Sequence, residues 1–224
     1  MLTKISETTD ANGLADVRLR LGNIPAEYTV TAKCDGCVPE FATVNFTSCG
    51  KLHTDEFKQN DDRWGDDILG SNPPAYKIRQ TGCALTSVAN LINFYAAINT
   101  SIARTDPGIL NEEMIKKGGY NNNDDVLWDR VPDFLYGVKF AGIIAVNNIH
   151  SLSSVINVID EYLLRGLPVI FHVLKANNRD HFMLAIGKCK DRYVIIDPAI
   201  GIIDDYNPFA TQLILQGVRL YEPF

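Results

Sequence analysis

An α+β fold is predicted by the order in which two hydrophobic periodicities occur along the sequence. Apolar residues three and four positions apart, which are typical of helices, occur between residues 83 and 165. Strand-like runs follow from Val169 onward, and helices followed by antiparallel strands indicate an α+β domain. Residues 1–48 alternate with period two and show no helical period. We therefore expect an all-β segment over residues 1–50 and an α+β domain over residues 51–224.

The N-terminal segment contains three strand-like stretches separated by turn residues. Asn12-Gly13 precedes the first stretch, and Asp35-Gly36 lies between the second and the third. The predicted strands are residues 15–21, 28–32 and 42–47. These strands are too few to close a sandwich, and an open sheet with one apolar face tends to associate. We expect the segment either to pack on the α+β domain or to pair with a second copy of the chain.

Four helices are predicted in the first part of the α+β domain. The helix over residues 83–97 has its apolar residues on one face. The next helix has Asp106 as N-cap and Pro107 at its first position, and it ends in lysines and glycines at residues 116–119. Two further helices are predicted over residues 125–135 and 152–165.

Four strands complete the α+β domain. They are predicted over residues 169–174, 181–188, 193–197 and 201–205. A short polar turn at residues 189–191 makes the second and third strands a hairpin. A hairpin centred there sets His181 nearly opposite Asp197, and opposed residues point to the same face of a sheet.

The composition excludes several functional classes. The net charge is −6 and no basic stripe is present, so nucleic acid is not an expected partner. The longest apolar stretch, residues 138–146, contains Lys139 and is too short to span a bilayer. The first residues lack the apolar core of a signal peptide. No Gly-rich phosphate loop or metalloprotease motif occurs, and we expect no cofactor and no catalytic metal.

Three residues form the parts of a cysteine nucleophile triad. Cys83 begins a predicted helix, His181 lies on a strand, and Asp197 ends the next strand. A thiol is a useful nucleophile as thiolate, which the positive end of a helix and an imidazolium both favour. A carboxylate can hold the imidazole in the required tautomer. His172 lies on an apolar strand, where a hydrogen-bonded core role is the usual one, so we assign it no function.

The sequence resembles the bacteriocin-processing-peptidase-like branch of the papain-like cysteine peptidases over about residues 55–205. The motifs that carry the resemblance are QNDDRWG at 59–65, TGCALTS at 81–87, GLPVI at 166–170, DHF at 180–182 and YVIIDP at 193–198. The resemblance implies a papain-like fold in the α+β domain. It also implies that Cys83 is the nucleophile, His181 the base and acid, and Asp197 the residue that orients His181.

The resemblance further indicates Gln59 as the side-chain amide of the oxyanion hole. Acyl chemistry needs such a donor together with the backbone N–H of the nucleophile. Many relatives have their glutamine six residues before the cysteine, where this sequence has Lys77. Gln80, three residues before the cysteine, is the alternative donor.

Residues 9–32 resemble the C-terminal half of a bacterial immunoglobulin-like repeat of the invasin/intimin type. The motifs are TDANGLA at 9–15, LRLG at 19–22 and YTVTA at 28–32. By analogy the protein is extracellular or on the cell surface of a bacterium. Immunoglobulin-like sheets are shaped to meet another sheet, which favours a homodimer through the N-terminal segment over packing on the α+β domain.

Five cysteines leave at least one unpaired, and we expect that one to be Cys83. Asp35-Gly36 favours a type I′ turn that sets Cys34 opposite Cys37, at a separation that suits a disulfide. The alternative is a zinc site formed by Cys34, Cys37, Cys49 and His53. An exported immunoglobulin-like segment favours the disulfide.

The function predicted from these observations is hydrolysis of peptide bonds through an acyl-enzyme, with a peptide or protein as substrate. Two other classes of function remain open at this point. One is a thiol amidohydrolase or acyltransferase that acts on a non-protein amide with the same three residues. The other is a catalytically inactive peptidase-like binding module of a surface adhesin. Labelling by an irreversible thiol reagent distinguishes an active site from an inactive one.

Overall fold

The computed structural model describes residues 6–19, 26–209 and 212–224, without the side chain of Ile149. Its helices are α1 (Ile78–Thr81), α2 (Cys83–Ile98), α3 (Pro107–Lys117) and α4 (Ile149–Leu164), with a 3₁₀ helix over Trp128–Phe134. Its strands are β1 (Ala26–Lys33), β2 (Phe41–Ser48), β3 (Gly50–Lys51), β4 (Val138–Ala145), β5 (Val169–Lys175), β6 (Asp180–Cys189), β7 (Arg192–Asp197), β8 (Gly201–Tyr206) and β9 (Leu213–Pro223). Helices and a large antiparallel sheet make this an α+β protein, as the sequence predicts.

The large sheet has seven strands in the order β4-β9-β5-β6-β7-β8, with β3 paired to β6. Every pairing in it is antiparallel. Strand β3 pairs with residues 187 and 188, beyond the part of β6 that pairs with β5. Strands β4 and β9 were not predicted. Their registers contain bulges near Phe140 and His172, and bulges interrupt the alternation on which strand prediction depends.

Helix α2 is buried on all sides rather than along one face. Eleven consecutive residues, 85–95, are buried, and they include the polar residues Asn90 and Asn93. The side chain of Asn90 accepts from the backbone N–H of Phe57, and that of Asn93 accepts from the backbone N–H of Thr105. These bonds satisfy buried polar groups and tie two loops to the helix. One of the loops leads directly to the predicted oxyanion residue.

Helix α3 begins and ends as predicted. The side chain of Asp106 accepts from the N–H of Ile109, with Pro107 at the first helical position, and Gly118 is in the left-handed conformation at φ 67°. The helix predicted over residues 125–135 is wrong. Only a 3₁₀ helix forms there, with Pro132 inside it, because proline lacks the N–H that an α-helix needs.

The N-terminal segment contains one two-stranded antiparallel sheet, β1-β2, among its described residues. The strand predicted over residues 15–21 is wrong for residues 15–18, which are exposed and form no ladder, and residues 20 and 21 lie outside the described part. Alternation of apolar and polar residues is not sufficient, because a strand also requires a neighbouring strand with which to form hydrogen bonds. The immunoglobulin-like assignment of this segment stays a prediction.

The β1-β2 hairpin has one apolar and one polar face. Paired positions on the apolar face include Tyr28 with Phe46 and Val30 with Val44. On the opposite face the hydroxyl of Thr29 donates to the side-chain oxygen of Asn45 at 2.9 Å.

The tip of this hairpin differs from the predicted type I′ turn. The last pair is Lys33 with Phe41, so the loop is longer than two residues. Gly36 has φ 84° but Asp35 does not have a positive φ, and type I′ requires both. The predicted disulfide is nevertheless present, because the Cα atoms of Cys34 and Cys37 are 5.4 Å apart.

A second disulfide, between Cys49 and Cys189, joins the end of the N-terminal segment to the end of β6. This pairing was not predicted, because 140 residues separate the two cysteines and only the β3-β6 pairing brings them together. Cys83 is then the cysteine without a disulfide, as expected. Among the described residues, none of the helices is both long and apolar enough to cross a membrane.

Candidate active site

Cys83 is the first residue of α2 and is partly exposed. The chain makes a close turn before it, at Gly82. A Cβ atom at Gly82 would lie 2.5 Å from the backbone oxygen of Ile78, so only glycine fits this turn. The N–H groups in the first turn of a helix have no acceptor within that helix, and they give this end partial positive charge. The turn at Gly82 therefore places the sulfur of Cys83 at the N-terminal end of α2.

His181 and Asp197 form a buried hydrogen-bonded pair. The Nε2 atom of His181 lies 2.7 Å from Oδ1 of Asp197, and each residue is 3% exposed. The same carboxylate oxygen accepts from the backbone N–H of Ala199 at 2.7 Å. Because Nε2 is engaged by the carboxylate, Nδ1 is the ring nitrogen available to Cys83, which lines the same cleft.

The hairpin that joins these two residues has a tighter turn than expected. The sequence suggested a turn over residues 189–191, with His181 nearly opposite Asp197. In the structure Cys189 pairs with Arg192, so only two residues form the turn. This register alone would separate the two side chains, since a shift of one position moves a residue to the other face of a sheet.

A bulge in β6 determines which face Asp197 shares. The pairing of β6 with β7 shifts by one residue at Ile186. When the register is extended by one step, Asp197 falls beside Met183, which is on the same face as His181. Without the bulge Asp197 would fall beside Leu184, on the opposite face. His181 and Asp197 are therefore diagonal neighbours, within reach of two polar side chains.

The surroundings of His181 favour its protonated form. Burial opposes the charge, but the hydrogen bonds and negative charges of Asp197 and Cys83 outweigh it and raise the pKa of His181 to about 8. Burial likewise opposes the charge of Asp197. The hydrogen bond and charge of His181, together with the N–H of Ala199, outweigh it, so the pKa of Asp197 lies below its usual value. Asp197 is therefore an anion that holds a cationic imidazole.

Gln59 is buried in the same cleft as Cys83 and His181. Its backbone N–H donates to Pro198 at 2.8 Å, and its Nε2 atom donates to the backbone oxygen of Arg79 at 2.9 Å. An amide nitrogen carries two hydrogens, so one remains for a substrate. The Oε1 atom is buried and has no hydrogen-bond partner in the described part of the chain.

Gln80, the alternative amide, also lines the cleft but has a local role. Its Oε1 atom accepts from the backbone N–H of Lys77 at 2.9 Å, at the start of α1. Its side chain is exposed. Gln59 is the better placed amide, because burial and two backbone contacts fix it.

The zinc alternative is wrong. Cys34 and Cys37 are joined to each other, and Cys49 is joined to Cys189. None of the three proposed cysteine ligands is therefore free to bind zinc together with His53.

Comparison with known families agrees with this geometry. The model of the Peptidase_C39 like family matches residues 55–211, which is more than half of the chain. This chain belongs to the Peptidase_C39 like family. A search of the curated proteins gave no match. Membership in this C39-like family indicates a cysteine peptidase-like function.

The cleft of this C39-like protein has a volume of about 710 Å³ and extends beyond Cys83 and His181. One wall consists of residues to which the sequence analysis gave no role. The Nε2 atom of His172 forms a hydrogen bond with Oδ1 of Asp180 at 2.7 Å. The ring of His172 stacks on that of Phe182, with their centres 4.8 Å apart. Phe182 contacts Trp128, and Arg219 lies over both rings. The sequence signal was weak, because these residues come from four separate elements.

Proposed function

We propose that this C39-like protein is a papain-like cysteine peptidase that hydrolyses peptide bonds through Cys83, His181 and Asp197. The observation that carries the proposal is the buried His181–Asp197 pair, joined at 2.7 Å, whose histidine lines the same cleft as the unpaired Cys83. Thiol acyl transfer requires a nucleophile, a base beside it and a carboxylate that orients the base. The family match over residues 55–211 supports the same reaction class.

The thiolate of Cys83 would attack the carbonyl carbon of the substrate, and the carbonyl oxygen would take up negative charge. Collapse of this intermediate breaks the C–N bond while the imidazolium of His181 gives its proton to the leaving amine. A water molecule then gives a proton to His181 and attacks the thioester. The acid is released and the sulfur of Cys83 leaves as thiolate.

The oxyanion would be stabilised by two donors on different elements. One is the remaining N–H of the Gln59 amide, whose orientation is fixed by its bond to Arg79. The other is the backbone N–H of Cys83 at the first position of α2. Fixed donors aimed at a developing charge are among the largest contributions to catalysis.

We propose an extracellular or cell-surface setting, with a bacterial peptide, protein or cell-wall cross-link as substrate. The disulfides Cys34–Cys37 and Cys49–Cys189 support an oxidising compartment. The resemblance of residues 9–32 to an adhesin-type repeat supports the same setting.

The test of the proposal is the pH dependence of peptide hydrolysis. Cleavage of a peptide library should decline as the pH rises through about 8, where His181 loses the proton that the leaving amine needs. Asp197→Asn keeps the shape but removes the charge that favours imidazolium, so the decline should move down by about one pH unit or more. The loss of rate should be smaller than for His181→Ala. An unchanged alkaline limb in Asp197→Asn would contradict the assigned role.

We propose that the apolar face of the β1-β2 hairpin joins two copies of the chain, since isolated two-stranded hairpins are marginally stable in water. Sedimentation equilibrium should give a dimer for the native chain. Val44→Lys, on the apolar face, should give a monomer, whereas the control Thr43→Lys, on the polar face, should stay dimeric. A monomeric native chain would reject this interface.

A further inference from the structure

Three cationic side chains line the active-site cleft without an ion pair to a carboxylate among the described residues. They are Lys175, Arg179 and Arg219. Most other described lysines and arginines form ion pairs with carboxylates. The net charge of the chain is −6, so acidic side chains outnumber basic ones. Unpaired cations in one cleft of such a chain indicate an anion that arrives from outside.

Arg219 is the cation that lies against aromatic rings and has a buried nitrogen. Its guanidinium carbon lies 5.2 Å from the ring centres of both Trp128 and Phe182. Its Nε atom is buried and has no hydrogen-bond partner in the described part of the chain. Burial holds the pKa of Arg219 below its usual value. A guanidinium nitrogen that is buried without an acceptor is costly, and a carboxylate is the acceptor that fits a guanidinium best.

Each of the three carboxylates that line the cleft has a hydrogen-bond partner other than these cations, and the charge of Asp180 also acts on Arg219. Asp124 accepts from the backbone of Ser71 and Asn72, and Asp180 is bonded to His172. Asp125 accepts from the side chain of Asn121.

Two of the cations, Lys175 and Arg179, also lie close to His181 along the chain. Lys175 ends β5 and Arg179 precedes β6, in the turn that leads directly to His181. The backbone N–H of Lys175 donates to the oxygen of Arg179 at 3.0 Å, which fixes this turn. A substrate in contact with His181 would therefore lie near the side chains of Lys175 and Arg179, which line the same cleft.

We propose that the cleft selects substrates that carry a carboxylate, and that the guanidinium of Arg219 binds this carboxylate beside the Trp128–Phe182 surface. The inference rests on the proposed peptidase function in one respect, namely that the ligand is a peptide. The carboxylate comes from an aspartate or glutamate side chain or from the C-terminus of the peptide. Lys175 and Arg179 add long-range attraction.

The test measures binding rather than hydrolysis. Full-length Cys83→Ala protein is titrated into fluorescein-labelled octapeptides in which one glutamate is scanned along the sequence. Each peptide is matched to its glutamine counterpart, and each is made as free acid and as C-terminal amide. We expect fluorescence anisotropy to show binding about 10- to 100-fold tighter for carboxylate-bearing members, as one charge-assisted hydrogen-bonded contact provides.

Replacement of the guanidinium identifies the contact. In the Cys83→Ala background, Arg219→Met should abolish the preference, and Arg219→Lys should keep part of it. The control Lys116→Met removes one exposed cation from α3, outside the cleft, and should leave the preference unchanged. Thermal unfolding of each variant checks that the fold is retained, and Arg219→Lys serves the comparison if Arg219→Met unfolds.

The outcomes separate the two sources and the two proposals. If Arg219→Met loses a preference for glutamate over glutamine, the bound carboxylate is that of a side chain. If it loses a preference for the free acid over the amide, the bound carboxylate is the C-terminus of the peptide. No binding by any carboxylate-bearing peptide at millimolar protein, no preference, or a preference that Arg219→Met leaves intact would overturn the inference. Because no bond is cleaved in this assay, an absence of hydrolysis by the native chain would count only against the peptidase proposal.

Discussion

Replacement of Cys83 by alanine is expected to abolish peptide hydrolysis while the protein stays folded. Loss of the nucleophile removes the acyl-enzyme route, and we expect kcat to fall by a factor of about 10⁴ or more. The stability should change little, because alanine is a better helix former than cysteine and Cys83 is only partly buried. Cleavage of a peptide library, followed by mass spectrometry, gives the rate, and thermal unfolding gives the stability.

A matched control lies one turn further along the same helix. The hydroxyl of Ser87 is buried without a hydrogen-bond partner among the described residues, so Ser87→Ala removes a similar polar atom from α2. This variant should hydrolyse peptides at a rate close to that of the native chain. Hydrolysis by Cys83→Ala at the native rate would disprove the mechanism, and equal losses in both variants would indicate damage to the helix instead.

The second large effect is expected from the disulfide between Cys49 and Cys189. It closes a loop of 140 residues, for which loop-closure entropy predicts a contribution of about 5 kcal/mol to the free energy of unfolding. Replacing both cysteines by alanine should therefore lower the midpoint of thermal unfolding strongly. Denaturant unfolding of the oxidised protein and the variant measures the difference in free energy.

The other disulfide provides the comparison. Cys34 and Cys37 are three positions apart, and the same relation gives about 2 kcal/mol for so short a loop. Their replacement by alanine should have the smaller effect. Mass spectrometry without reduction should find both pairs, with Cys83 unmodified. Similar stability losses for the two pairs, or a cross-linked Cys83, would contradict the pairing described above.

The sequence was most informative where a local signal dictates structure. Asp106, Pro107 and Gly118 act through the backbone immediately beside them, and α3 has the predicted ends for that reason. The cysteine at a helix start, and the histidine and aspartate on consecutive strands, were recognisable in the same way. Proline inside residues 125–135 was a local signal too, and it should have weighed against an α-helix there.

The parts that could not be predicted depend on long-range pairing. A single bulge at Ile186 decides whether Asp197 faces His181, and nothing in the local sequence marks that residue as the extra one. The Cys49–Cys189 disulfide and the cluster around Arg219 likewise bring together residues from distant elements. Periodicity describes the face on which a residue lies, but it does not identify the strand beside it.

The Cys49–Cys189 bond also has a topological consequence for proteolytic damage. Both Cys83 and His181 lie inside the covalent ring that this bond closes. A protease that cuts the chain once anywhere between residues 49 and 189 would produce two pieces that remain one molecule. Such a nicked protein would migrate as a single species until a reducing agent is added. If the protein is exposed to proteases, the ring would keep Cys83 and His181 in one molecule after a first cut.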